Sequence, residues 1–164
     1  MKKILLLSDT HTCIDDKIIK YVQQADEVWH AGDIGNTLVT DTIKQIKPLR
    51  AVYGNIDGGE LRKEFNETVV FVVEDVKVLM THIGGYPGRY AKGIRELIQR
   101  QRPQLFIAGH SHILKVMYDK KYELLHMNPG AAGKKGFHKV RTMLRFVLDK
   151  GEIKNLEVIE LGRR

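Results

Sequence analysis

Short apolar runs alternate with amphipathic segments along the first half of the chain. The apolar runs predict strands at Lys3–Ser8, Glu27–His30 and Leu49–Tyr53. Apolar residues at helical spacing predict helices over Asp16–Gln24 and Thr37–Ile46. A strand–helix–strand order requires long connections between neighbouring strands. It therefore predicts parallel strands with helical crossovers, an α/β arrangement.

The second half of the chain is richer in strands. One helix is predicted over Tyr90–Gln101, ahead of Pro103. The predicted strands are 68–73, 76–81, 105–108, 113–118, 124–127, 140–148 and 153–161. Turn residues between neighbouring strands predict hairpins at Glu74-Asp75 and at 149–152. The length of 164 residues and the absence of a linker predict one domain over 1–164.

Potential metal ligands follow one predicted strand after another. They comprise two carboxylates, four imidazoles and one amide, which are Asp9, His11, Asp33, Asn55, His82, His110 and His112. In open α/β sheets, ligands bind beyond the carboxyl ends of the strands, so these residues are expected to converge along one edge.

The chemistry of these seven groups points to two metal ions. Seven donors are too many for one tetrahedral site and sufficient for two adjacent ions that share a carboxylate. Mixed nitrogen and oxygen ligation without thiolate favours Mn, Fe, Co, Ni or Zn over Ca or Mg. Two such ions leave a net positive centre, which favours an anionic ester as substrate.

The order of the short motifs supports a more specific hypothesis. The motifs are Asp9-x-His11, Gly32-Asp33, Gly54-Asn55-x-Asp57, Thr81-His82 and Gly109-His110-x-His112. In this order they resemble the calcineurin-like metallophosphoesterase superfamily. The compact length and Asn128-Pro129-Gly130 resemble its small bacterial and archaeal phosphodiesterase branch. The resemblance implies two packed mixed β-sheets flanked by helices, a four-layer α/β/β/α sandwich.

The resemblance also implies a role for each ligand. Asp9, His11 and His112 would bind the first metal, and Asn55, His82 and His110 the second. Asp33 would bridge both ions. Asp33, Asn55 and His82 would also act in catalysis, in which a metal-bridging hydroxide attacks phosphorus in line. Two divalent transition-metal ions are expected per chain, with manganese as the first choice and Ni, Co, Fe or Zn as alternatives.

One departure from the family pattern affects the expected reaction. Many members have histidine after Gly-Asn, where it can protonate the leaving group, whereas this chain has Ile56. The substitution favours a phosphodiesterase over a phosphomonoesterase or nucleotidase. Two other hypotheses stay open. One is a nuclease, prompted by the basic segment 134–164 with nine lysines and arginines against four acidic residues. The other is a non-catalytic scaffold, since a retromer subunit keeps this fold without all the metal-centre residues.

The remaining sequence features bear on the cellular compartment, the binding partners and the histidines outside the motifs. The lone Cys13 and the short apolar run after Met1 predict a cytoplasmic protein without a signal peptide or membrane span. The expected partner is a small phosphate ester, with nucleic acid a less favoured alternative and a homo-oligomer left open. His30, His126 and His138 are interpreted as structural residues outside the motifs.

Overall fold

A computed structural model describes residues 1–164 and contains two five-stranded sheets. The first sheet has the order β12-β11-β1-β2-β3. Its strands are β1 (Lys2–Leu7), β2 (Glu27–His30), β3 (Leu49–Ala51), β11 (Val140–Asp149) and β12 (Glu152–Arg163). The first three are parallel, and the β11–β12 hairpin continues the sheet in antiparallel fashion from β1. The predicted crossovers and the C-terminal hairpin are therefore present.

The second sheet has the order β4-β5-β8-β10-β9. Its strands are β4 (Thr68–Val73), β5 (Val76–Thr81), β8 (Leu105–Ile107), β9 (Leu114–Asp119) and β10 (Leu124–Pro129). The central strands β5, β8 and β10 are parallel, and both edge strands are antiparallel to their neighbours. A separate two-stranded hairpin joins β6 (Gly85–Tyr86) to β7 (Arg89–Tyr90).

The two sheets pack face to face with helices on their outer faces. Ile4, Leu6 and Trp29 of the first sheet share one buried cluster with Met80 and Ile107 of the second. Helices α1 (Asp16–Gln24) and α2 (Thr37–Lys44) cover the outer face of the first sheet, and α4 (Ile94–Gln101) covers that of the second. The mixed sheets and their helices confirm the predicted α/β/β/α sandwich.

Several predicted elements differ in their bounds from the observed ones, and three of them are shorter than predicted by at least two residues at one end. The predicted Tyr90–Gln101 helix begins at Ile94, because Gly93 adopts a left-handed φ of 84° and Tyr90 belongs to β7. Helix α2 ends two residues before the predicted Ile46. The third strand stops at Ala51.

A further helix, α3 (Gly59–Glu64), was not predicted. It is only six residues long and buries Leu61 alone, so it offers no amphipathic period to detect. No helix of the structure is both long enough and apolar enough to cross a bilayer.

Candidate metal centre

All seven predicted ligands lie beyond the carboxyl ends of parallel strands. Asp9 and His11 follow β1, Asp33 follows β2 and Asn55 follows β3 in the first sheet. His82 follows β5, and the His110–His112 loop follows β8, both in the second sheet. Because the sheets are packed with these ends at a common edge, residues from both sheets meet there.

Asp9, His11 and His112 form the first group, whose ligand atoms all lie within 4.8 Å of one another. Oδ1 of Asp9 is 3.2 Å from Nε2 of His112 and 3.9 Å from Nε2 of His11. Its other oxygen, Oδ2, accepts from the Ser8 hydroxyl at 2.7 Å and from the His110 amide at 3.1 Å. These bonds hold the carboxylate so that Oδ1 faces the two imidazoles.

Asp33, His82 and His110 form the second group, again with ligand atoms within 4.8 Å. Nδ1 of His82 donates to the Ala31 carbonyl at 2.7 Å, which leaves Nε2 as the ring's available lone pair. Nδ1 of His110 lies 3.0 Å from Oδ1 of Asn55, so both atoms can face one ion. Asn55 is thus placed with the second group.

Asp33 belongs to the second group and also faces His11 of the first. Its Oδ2 is 3.3 Å from Nε2 of His82 and 3.5 Å from Nε2 of His11, while Oδ1 accepts from the Ile56 amide at 3.1 Å. Burial by itself would raise the pKa of Asp33, but the His82 ring, the Ile56 amide and His11 outweigh it and lower the pKa. Burial would likewise lower the pKa of His82, but Asp33 and Asp9 raise it. The carboxylate is therefore held ionised beside imidazoles of both groups.

The donor set fits divalent metal ions. Oδ1 of Asp9, Nε2 of His11 and Nε2 of His82 are buried and have no hydrogen-bond partner. Unsatisfied buried polar atoms are costly, and here three of them converge on one small volume. Cations at this position would satisfy all three. Nitrogen and carboxylate ligands are typical of transition-metal sites.

The backbone is strained where the ligands are placed. Five of the seven candidate ligands have left-handed φ values between 44° and 72°, and they are Asp9, His11, Asp33, His110 and His112. Such conformations cost on the order of 1 kcal/mol each and persist where surrounding contacts enforce them. The concentration of strain at one edge is typical of a functional site.

Asp57 organises the loops after β2 and β3. Its buried carboxylate accepts from three backbone amides, those of Ile34 (3.1 Å), Gly35 (2.9 Å) and Gly54 (2.7 Å). A Cβ at Gly54 would collide with the Asp33 carboxylate, so only glycine permits this approach. Asp57 therefore positions the segments that carry Asp33 and Asn55 without facing the imidazoles itself.

Two histidines outside the motifs contact residues at the same edge of the sheets. Nδ1 of His30 accepts from the Gly32 amide at 3.1 Å, and its Nε2 donates to the Thr10 hydroxyl at 2.9 Å. Burial lowers the pKa of His30 to about 4, so the ring is neutral. The ring of His138 packs edge-on against His112 at 5.2 Å, and its Nε2 donates to a carbonyl at 2.8 Å.

Sequence reasoning did not find the contact of His138 with the site. His138 belongs to no ligand motif, and the approach depends on Gly136, where a Cβ would collide with His112. Asn128 was noted only as part of a motif, but its amide donates to the Gly109 carbonyl at 3.0 Å and to the Ser111 hydroxyl at 3.2 Å. It therefore braces the His110–His112 loop.

One groove of the protein lies away from these residues. It has a volume of about 550 Å³ and is lined by residues of α1, β1, β11 and β12, among them Tyr21, Arg145 and Glu157. Arg145 bonds to Glu157 at 2.5 Å and to Gln24 at 3.0 Å across it. None of the candidate ligands lines this groove, so the groove is not part of the candidate metal centre.

A sequence profile settles the family. The calcineurin-like phosphoesterase superfamily domain matches residues 1–151, most of the chain. The chain belongs to this superfamily. The superfamily resemblance inferred from the ordered motifs is thereby confirmed.

Similar proteins agree with the superfamily. A probable metallophosphoesterase of Methanocaldococcus jannaschii is 27% identical over 133 residues, covering 77% of this chain and 66% of that protein, just under two thirds of its length. Among solved structures, an archaeal phosphodiesterase superposes with a TM-score of 0.74 at 22% identity, covering 97% of this chain and 99% of the other. Vps29 of Entamoeba histolytica, solved with Zn²⁺, gives 0.72 at 18% identity, covering 96% and 98%. At these identities the structural matches show a shared fold.

Proposed function

We propose that the protein is a dinuclear metal-dependent phosphodiesterase. The observation that carries the proposal is the pair of ligand groups on either side of Asp33, with unsatisfied buried atoms directed between them. In the proposed assignment, Asp9, His11 and His112 hold one ion, Asn55, His82 and His110 hold the other, and Asp33 is shared. When bound, two adjacent divalent cations activate a water molecule and stabilise charge on the phosphoryl oxygens.

The chain's own residues would orient the substrate and the ligands. Asp33 and Asp9 are each held by backbone amides through one oxygen, so their free oxygens need not reorganise during the reaction. The Ala31 carbonyl fixes the ring of His82. Asn55 contributes a neutral oxygen, which leaves the centre more positive than a third carboxylate would and favours an anionic ester.

Ile56 supports the choice of a diester. Its backbone amide is bonded to Asp33, and its side chain is 47% exposed beside Asn55. An isoleucine side chain can neither donate a proton nor form a hydrogen bond, so no general acid stands at this position. A diester with an acidic leaving group depends least on such an acid.

A comparison of two substrates with one leaving group tests the proposal. The protein is stripped of metal, reloaded in turn with Mn, Ni, Co, Fe or Zn, and assayed on bis(p-nitrophenyl) phosphate and p-nitrophenyl phosphate. We expect diester hydrolysis that requires metal and exceeds monoester hydrolysis at least tenfold. Faster monoester hydrolysis would support the phosphomonoesterase alternative. Stable double metal loading without hydrolysis of either ester would support the scaffold alternative.

A further inference from the structure

Exposed isoleucines directly follow three of the candidate ligands. Ile56 comes after Asn55, Ile83 after His82 and Ile113 after His112. These residues are 47%, 46% and 56% exposed. These residues lie on three different loops, so their common exposure beside the ligands is not a property of one element.

Phe137 provides a fourth apolar side chain at the same edge. It is wholly exposed to solvent. Its neighbours in the chain, Gly136 and His138, both lie against His112. The backbone at Phe137 therefore lies near His112, and no contact within the chain buries the ring of Phe137.

The segment that carries Phe137 is positively charged. Lys134, Lys135 and Lys139 are exposed on it. Their ammonium groups favour an anionic molecule at this part of the surface. Isolated exposed hydrophobic residues are ordinary, but four around one polar centre are a local concentration that a ligand can use.

We propose that Ile56, Ile83, Ile113 and Phe137 form an apolar rim that binds the organic groups of the substrate. The inference rests on the proposed function. A phosphodiester carries two ester groups on phosphorus, and with phosphorus at the candidate ligands those groups must lie over the surrounding surface. The loops after β3, β5 and β8 each carry one exposed isoleucine there, and the segment beside His112 carries the exposed Phe137. The substrate class is therefore a phosphodiester with at least one large alkyl or aryl ester group.

The test varies the retained ester group and keeps the leaving group constant. The substrates are p-nitrophenyl methyl, butyl and hexyl phosphate, at concentrations where light scattering shows no aggregates. Full burial of a methylene group is worth about fourfold, so a half-covered chain on an open rim should raise kcat/KM about twofold per methylene. Titration calorimetry with dimethyl, dibutyl and dihexyl phosphate measures the same dependence as a dissociation constant.

Two rim variants and one control test whether the rim residues cause the dependence of kcat/KM on chain length. Phe137→Ser and Ile113→Ser should each reduce the hexyl-to-methyl ratio of kcat/KM severalfold. The matched control is Val158→Ser, which alters a side chain of similar exposure, 49%, on the edge strand β12. It should keep the wild-type ratio.

The outcomes separate this inference from the proposed function. Hydrolysis of all three esters at equal kcat/KM by the wild-type protein would overturn the rim and leave the phosphodiesterase assignment standing. A chain-length dependence that both rim variants retain would also overturn the rim. Absence of hydrolysis of all three esters in every metal-loaded form would overturn the proposed function and the inference together.

Discussion

Nε2 of His82 lies 3.3 Å from Oδ2 of Asp33. Asp33 follows a strand of the first sheet and His82 a strand of the second, so the contact spans the interface between the two sheets. It exists only when both sheets are folded and packed.

Removing the charge of Asp33 should disable both proposed metal sites. Asp33→Asn keeps an oxygen for the Ile56 amide but loses the anionic oxygen facing His11 and His82. We expect activity to fall by at least about 10³-fold, since metal-mediated charge stabilisation is worth several kcal/mol. Elemental analysis after dialysis measures metal content, with the exposed Asp41→Asn as control. Full double occupancy with retained activity would rule out the bridging role.

Asn55 and Asp9 should affect different ions. Asn55→Ala removes a neutral amide oxygen beside His110, whereas Asp9→Ala removes a carboxylate beside His112. We expect Asn55→Ala to weaken one site, with partial rescue by excess metal, and Asp9→Ala to weaken the other. Metal titrations followed by calorimetry distinguish the two. Loss of the same site in both variants would show that the division into two ligand groups is wrong.

Introducing a histidine at Ile56 should increase the rate of hydrolysis most for esters with poor leaving groups. Positioned general acids contribute about 10²–10⁴-fold, and their benefit grows with the basicity of the leaving group. Ile56→His places an imidazole beside Asn55, so the slope of log rate against leaving-group pKa should become shallower than in the wild-type protein. A series of substituted phenyl diesters measures both slopes. A flat wild-type slope with efficient alkyl monoester hydrolysis would mean that another acid already operates.

Asp57 should matter for both folding and metal affinity. Asp57→Ala leaves three backbone amides without this acceptor, two of them buried, and each buried loss costs about 1–3 kcal/mol. We expect a lower free energy of urea unfolding and weaker metal binding, with Asp57→Asn intermediate. Asp119→Ala is the control, because Asp119 is also a buried acceptor, bonded to Tyr90 at 2.6 Å away from the ligands. Equal metal affinity in the Asp57 and Asp119 variants would contradict the positioning role.

The buried ring of His126 should make the fold less stable in acid. Neither ring nitrogen has a hydrogen-bond partner, and burial lowers its pKa from 6.5 to about 4. The unfolded chain therefore binds a proton between these pH values while the folded protein does not, so stability is full above about pH 6.5 and falls toward pH 4.

A variant isolates the contribution of His126. Between pH 7 and pH 4, the free energy of unfolding should fall by about 3 kcal/mol less in His126→Leu than in the wild-type protein. His30 is intact in both proteins. Urea unfolding with chelator at both pH values measures this difference. The same acid loss in both proteins would show that His126 does not titrate as described.

Local sequence patterns were sufficient to predict most of the helices and strands. Helix α1 spans the predicted Asp16–Gln24, and the β4–β5 hairpin has the predicted bounds, because apolar periodicity and turn residues are local properties. The helix before Pro103 was predicted to begin at Tyr90 because the sequence does not show that Gly93 takes a left-handed conformation. The short helix α3 has too few buried residues to produce a pattern.

The superfamily and the candidate ligands could be predicted from the order of amino acids alone, because each ligand follows a recognisable strand or completes a short motif. The family resemblance also implied how those ligands are grouped, whereas the tertiary structure revealed their actual contacts, with Oδ2 of Asp33 close to both His11 and His82. It also placed His138 against His112 and tied three amides to Asp57. These relationships depend on how two sheets pack and how separate loops cross at their edge. Such contacts join residues far apart in the chain, so no local pattern encodes them.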